Sequence, residues 1–218
     1  MARFVVFGLG SFGFYVAKTL SERGDEVVAV DKDENTIEKI KDFVSQAIVA
    51  DATDKETLEA LGVAEVDGAI VALGPRMEPS ILCVLYLREL GVRNIIVKAL
   101  NEDHEKILEI LGATEVIYPE KDIAVRTALK IRSGNVIDFL PLAPGYSIQQ
   151  IAPPQSFIGK TLRELDLRNR YRVQVIAVKE FIPERINLIP GGDFVIKESD
   201  LLLVLGKDED IQKLLSKK

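Results

Sequence analysis

Short apolar runs alternate with segments of helical spacing, without a break, from residue 2 to about residue 132. The strand-like runs fall at 3–7, 26–31, 46–50, 67–73, 94–98 and 115–118, and helical spacing covers 11–23, 33–43, 54–61, 77–90, 102–111 and 119–132. Asp33, Thr53 or Asp54, and Asn101 stand where helices need N-caps, and Gly24, Gly62, Gly91 and Gly112 stand where they stop. Six short apolar strands with five intervening helices predict an α/β domain built on a doubly wound parallel sheet. In such a sheet the ligand lies at the carboxyl ends of the strands, where the strand order reverses.

The rhythm changes after Ser133-Gly134-Asn135. Residues 136–218 carry mostly strands, at 136–140, 146–151, 173–179, 185–189, 194–196 and 201–205, with helices at 161–168 and 208–216. Pro190-Gly191-Gly192-Asp193 reads as a hairpin connection. Two domains are expected, 1–134 and a smaller α+β domain at 135–218, joined by the loop near 133–135, with a second loop at Pro141 to Gly145.

The first strand runs into Gly8-Leu9-Gly10-Ser11-Phe12-Gly13, and the second apolar run ends in Asp31. This is Gly-x-Gly-x-x-Gly in a Rossmann-like context: strand before, helix after, acid about twenty residues on. Gly8 permits the turn, Gly10 lets backbone approach a pyrophosphate, and Gly13 allows close packing of the helix whose amides face the phosphates. Asp31 stands where a carboxylate can accept from a ribose diol, which disfavours a 2′-phosphate and hence NADP.

Three more stretches end strands of the expected sheet. Asp51-Ala52-Thr53 follows the third strand and can meet the adenine end; its structural alternative is helix capping by Thr53. Ala72-Leu73-Gly74 ends the fourth, where glycine leaves room for an adenosine, or is an ordinary strand-to-loop glycine. Lys98 ends the fifth, within reach of phosphates, or is a plain surface lysine. Glu120, in Pro119-Glu120-Lys121, is favoured at a helix start by the dipole whatever its function. His104, flanked by acids in Asn101-Glu102-Asp103-His104-Glu105, reads as a solvated surface imidazole, and Cys83 as core. No acid/base partner for hydride chemistry is visible, which leaves an NAD-dependent oxidoreductase as the alternative reading and not the first.

Composition narrows the classes. Among 218 residues, 47% are hydrophobic and 28% charged, enough for a real core. A formal charge of −6 and the lack of a helix-turn-helix pattern argue against nucleic acid as partner. One cysteine excludes an internal disulfide, and one histidine makes a His-based metal site improbable. No apolar run approaches the ~18 residues of a membrane span, and the chain enters a strand without a signal peptide, so a cytoplasmic protein is expected.

The combination of Gly8-x-Gly10-x-x-Gly13, Asp31, Asp51-Ala52-Thr53, Lys98 and Pro119-Glu120 with a small strand-rich module resembles the RCK/KTN family. These are cytosolic regulatory subunits and domains of potassium channels and of Ktr/Trk potassium uptake systems. Ile158-Gly159-Lys160-Thr161-Leu162-Arg163-Glu164-Leu165-Asp166-Leu167, Val175-Ile176-Ala177-Val178, Pro190-Gly191-Gly192-Asp193 and Asp200-Leu201-Leu202-Leu203-Val204-Leu205-Gly206 carry the resemblance through the second domain. It implies no catalysis. It implies binding of ATP, ADP, AMP or NAD(H), a homodimer assembled into a homo-octameric ring, and gating of a potassium-translocating membrane subunit at the inner face of the membrane. The nucleotide site it implies comprises Gly8, Gly10, Ser11, Phe12, Gly13, Asp31, Lys32, Asp51, Ala52, Thr53, Ala72, Leu73, Gly74 and Lys98. Glu120 aligns with a carboxylate that, in some ATP-binding members, helps hold a divalent cation, Mg2+ or Ca2+, between nucleotide sites. Ser11 stands where ATP-sensing members often carry arginine, which favours NAD(H), AMP or ADP over strong ATP discrimination. Some members also bind a cyclic dinucleotide in the C-terminal domain.

Overall fold

The computed structural model describes residues 1–133 and 136–216. The chain divides into two compact units, Met1–Glu120 and Lys121–Lys218. Gly134 and Asn135, where the sequence rhythm changes, lie outside the described residues.

In the first unit the apolar runs become β1 (Arg3–Phe7), β2 (Glu26–Asp31), β3 (Gln46–Val49), β4 (Gly68–Val71), β5 (Ile95–Lys98) and β6 (Glu115–Ile117). They form one sheet in the order β3-β2-β1-β4-β5-β6, and every pairing is parallel. Helices α1 (Ser11–Glu22), α2 (Glu34–Ile40), α3 (Lys55–Ala60), α4 (Met77–Glu89) and α5 (Glu102–Ile110) make the crossovers. Because both faces are covered, the strands carry apolar residues in both phases of the pleat. Val5, Phe7, Val28, Val30, Ala69 and Val71 pack on one face with Cys83, Val84 and Leu87 of α4. Val6, Val27, Ala29 and Ile70 pack on the other with Ala17 of α1 and Ile37 and Ile40 of α2. Each large side chain fully removed from water here contributes about 1.5–3 kcal/mol. Burial alone pushes the Cys83 thiol up, so it is inert core. The order reverses between β1 and β4, which places the crevice beside the loops that follow those two strands.

Helix α6 (Pro119–Ser133) follows β6. The second unit holds β7 (Val136–Ala143), β8 (Tyr146–Ile151), α7 (Leu162–Leu165), α8 (Leu167–Tyr171), β9 (Gln174–Phe181), β10 (Glu184–Leu188), β11 (Leu201–Lys207) and α9 (Asp208–Leu215). Its sheet is antiparallel, in the order β10-β9-β11-β8-β7. Ile151, Val175, Val178, Leu202 and Val204 form its core with Leu165, Leu167, Ile211 and Leu214.

Several expectations for this half need correction. Residues 161–168 are two short helices, because Asp166 adopts a left-handed backbone (φ 44°) between them. Pro141 to Gly145 is no linker: Pro141 pairs with Ser147 inside a hairpin. The turn at 190–193 joins no hairpin either. The hairpin is β9–β10, through Ile182-Pro183. Residues 194–196 contribute only one isolated bridge, Val195 to Thr161, and Gly192 O accepts from the Arg163 amide.

Candidate functional site

The loop between β1 and α1 is built by contact. Gly8 has φ +87°, and a Cβ there would sit 2.5 Å from Ala72 O. A Cβ on Gly13 would sit 1.9 Å from Gly8 O, so this glycine lets α1 close over its own loop more than over the sheet. Gly10 differs from both: a Cβ there would meet nothing within 4 Å. Gly10 is also the N-cap of α1, with no side-chain cap and no acid in the first turn. The first amides of α1 thus open, with the positive end of the helix dipole, onto free space. Ser11 is exposed at that first turn, and Phe12 is half-buried against the α1 face of the core.

Asp31, at the end of β2, fixes this loop. One carboxylate oxygen accepts from the Leu9 amide at 2.7 Å and the other from the Asp33 amide at 2.9 Å. Each oxygen retains acceptor capacity. At the end of β3, Asp51 accepts from both the amide (2.9 Å) and the hydroxyl (2.7 Å) of Thr53. Those bonds, with Lys32 contributing charge, hold its carboxyl below the ordinary range. Ala52 is buried between them. The helix cap is not Thr53: Asp54 caps α3 by accepting from the Thr57 amide at 3.1 Å. Thr53 is bound to Asp51 instead.

Across the switch point, Ala72 touches the glycine loop, Leu73 packs on the core, and Gly74 is exposed with open space around it. Lys98 ends β5 and donates to Glu120 at 2.5 Å, which lowers the Glu120 pKa. Among the described residues no group of three His, Cys, Asp or Glu side chains could hold a metal ion. Within one chain Glu120 is a single carboxylate already neutralised by a lysine, a donor set that does not fit a divalent cation.

His104 is fully buried, contrary to the solvated imidazole its acidic neighbours suggest. Its Nδ1 accepts from the Leu100 amide at 3.2 Å, which places the ring proton on Nε2, 3.1 Å from Ser80 Oγ. Ser80 donates in turn to Met77 O at 2.9 Å. Burial lowers the His104 pKa. The Asn101 side chain caps α5 through the His104 amide, and this cap is the part of the arrangement visible in sequence.

Every residue expected in the site thus lies at the carboxyl edge of one sheet, on strand ends, the loops after them or the first turns of the following helices. Sequence reasoning missed the Leu9 and Asp33 amides that hold Asp31, which no motif encodes; Arg76 stands exposed at the start of α4. In the second unit, a concavity of about 280 Å3 is lined by Arg163, Asp166, Arg168, Gln174 and Pro190 among others. The charge cluster elsewhere in this unit is closed: Glu180, fully buried, accepts from Arg185 at 2.6 Å and Lys197 at 2.8 Å, which hold its pKa down at about 2.

This fold defines a Rossmann-like module followed by an antiparallel α+β module. Residues 4–119 match the TrkA-N domain and residues 150–218 the TrkA-C domain. The Ktr system potassium uptake protein C of Bacillus subtilis (strain 168) is 40% identical over 210 residues, 96% of this chain and 94% of that protein. The Ktr system potassium uptake protein A of Vibrio alginolyticus is 35% identical over 213 residues, 98% of this chain and 96% of that protein. The chain belongs to the TrkA-type RCK family, and it is a Ktr-like regulatory protein, not an enzyme. Among solved structures, the GsuK RCK domain superposes with TM-score 0.70 at 22% identity, over 99% of this chain and 48% of that one. The GsuK channel bound to NAD gives 0.68 at 21%, over 98% and 38%. The chain spans less than half the length of these structures, and the likeness to them establishes the fold. No helix among the described residues is long and apolar enough to cross a membrane.

Proposed function

We propose that the carboxyl edge of the first unit binds an adenine nucleotide, ATP, ADP, AMP or NAD(H), and that the bound ligand gates a potassium-translocating Ktr/Trk-type membrane subunit. The observation that carries this reading is the contrast among three glycines. Gly8 and Gly13 are glycine because neighbouring backbone fills the place of a Cβ, and Gly10 is glycine beside open space at an uncapped helix start. Nothing in the chain's own packing requires glycine there; a phosphate does. Phosphates would lie on the amides of α1, the ribose on Asp31, and the adenine end toward Asp51, Ala52 and Thr53. The NAD in the GsuK channel and the AMP in a Shewanella denitrificans Kef C-terminal domain support this chemistry by analogy of fold.

Gating by this protein needs no bond made or broken. A ligand shifts an assembly only by its differential affinity for two states. A tenfold preference is about 1.4 kcal/mol per site, so a homo-octameric ring would add such terms over its copies. Glu120 would meet a divalent cation only where a two-fold mate brings a second carboxylate, with the metal offsetting like-charge repulsion. In the second unit, Arg168, beside Asp166 and an Arg163 paired with Asp193, is the cation the concavity would offer an anionic ligand such as a cyclic dinucleotide.

The test is a thermal-shift and calorimetric panel with ATP, ADP, AMP, NAD, NADH and NADPH, each with and without Mg2+ or Ca2+. A ligand at a hundred times its Kd adds about 2.7 kcal/mol of stability. Asp31→Asn should weaken the ligands that bind by roughly tenfold or more. Silence across the panel, or indifference to Asp31, would sink the reading.

A further inference from the structure

We propose that Arg76 is the residue that reads the distal phosphates of the bound nucleotide, and so sets how strongly the protein prefers di- and triphosphates to a monophosphate. The inference rests on the nucleotide reading above. Lys32, Arg76 and Lys98 stand at the carboxyl edge after β2, after β4 and at the end of β5. Lys98 is consumed by Glu120, and Lys32 exerts its field on Asp51, on the β3 side of the sheet. Ser11, at the first turn of α1, carries no charge. Arg76 is exposed and, among the described residues, makes no hydrogen bond or ion pair.

Its position is also electrostatically uphill. Arg76 is the N-cap of α4, where an acceptor side chain is favoured and a cation opposes the helix dipole. The helix has no side-chain cap, and only Glu78 in the first turn offsets the charge. The loop follows Gly74, directly after the segment whose Ala72 touches Gly8. A phosphate seated on α1 therefore has Asp31 and Asp51 on the β2–β3 side and Arg76 on the β4 side. Phosphates beyond the first extend away from the ribose, toward that side. A guanidinium offers two parallel donors to a phosphate, and an anion there would relieve its opposition to the dipole.

The test is calorimetry on the full chain with ATP, ADP and AMP, for wild type, Arg76→Gln and Arg76→Lys. Arg76→Gln should weaken ATP and ADP by roughly tenfold to a hundredfold, the range for a hydrogen bond to a charged group. AMP should change by less than about twofold, and Arg76→Lys should recover part of the loss, since it keeps charge without the fork. Unchanged ATP and ADP affinity in Arg76→Gln, or an equal loss for AMP, overturns the assignment while leaving the nucleotide reading intact. Wild type binding none of the three overturns the assignment, and silence toward NAD and NADH as well overturns the nucleotide reading with it. An exposed side chain without contacts leaves the fold unaffected, which equal melting temperatures would verify.

Discussion

Two carboxylates, one in each unit, do opposite things with the same chemistry. Asp31 spends one bond per oxygen on the Leu9 and Asp33 amides and keeps the rest of its capacity at a half-open edge. Glu180 is sealed from water and paired with both Arg185 and Lys197, tying the β9–β10 hairpin to the strap before β11. The first arrangement leaves acceptor capacity within reach of solvent or a ligand, and the second closes its carboxylate off from both. Binding sites are found where a fold leaves polar capacity unspent, and a parallel sheet does this systematically, because all its strand ends deliver loops to one edge.

The sharpest way to break the comparison is at the glycines. Gly13→Ala forces a Cβ against Gly8 O and should cost about 1–3 kcal/mol or more. Gly10→Ala, with open space around it, should leave stability within about 0.5 kcal/mol and still abolish nucleotide binding. Chemical denaturation beside a binding titration separates the two. Equal losses of stability would mean that Gly10 is structural after all.

Next in size is Glu180→Gln, which keeps the shape and removes the charge. It should lower the melting temperature by several degrees at pH 7. The Glu180 pKa is depressed from the ordinary 4.5 to about 2, so its charge contributes stability that is complete above about 4.5 and lost as the pH falls toward 2. The gap between wild type and variant should close over that window. A gap that stays constant with pH would assign the effect to packing. The smallest effect belongs to Glu120→Gln, since an exposed pair such as Lys98–Glu120 is worth at most about 1 kcal/mol. Its melting curve should barely move, while any divalent-cation effect on nucleotide binding should vanish. Persistence of that effect would exclude Glu120 as a needed ligand.

The two units also differ in how much of them can be read from sequence. In the first, each strand is a local apolar run and each crossover a local helix, so the order of residues 3–117 announces the sheet and the edge where Gly8, Asp31 and Lys98 gather. Thr53 and His104 show the limit. Which of two adjacent residues caps α3 depends on a hydrogen bond to Asp51, and the burial of His104 depends on Ser80, on another helix. In the second unit the central strand β11 lies between β8 and β9, partners distant in sequence. Local pattern has little hold there. The Pro190–Asp193 turn looks like a hairpin and is a strap, while the true hairpin turns at Ile182-Pro183. The left-handed backbone of Asp166 has no glycine to mark it.

The buried imidazole has a mechanical consequence. Through Leu100 it grips the chain just past β5, and through Ser80 and Met77 it grips the first turn of α4, next to Arg76. The loops carrying Lys98 and Arg76 therefore share one rivet beneath the surface and are geared together. A substitution at His104 would be felt at the crevice as altered ligand affinity, transmitted from a side chain that never meets the ligand.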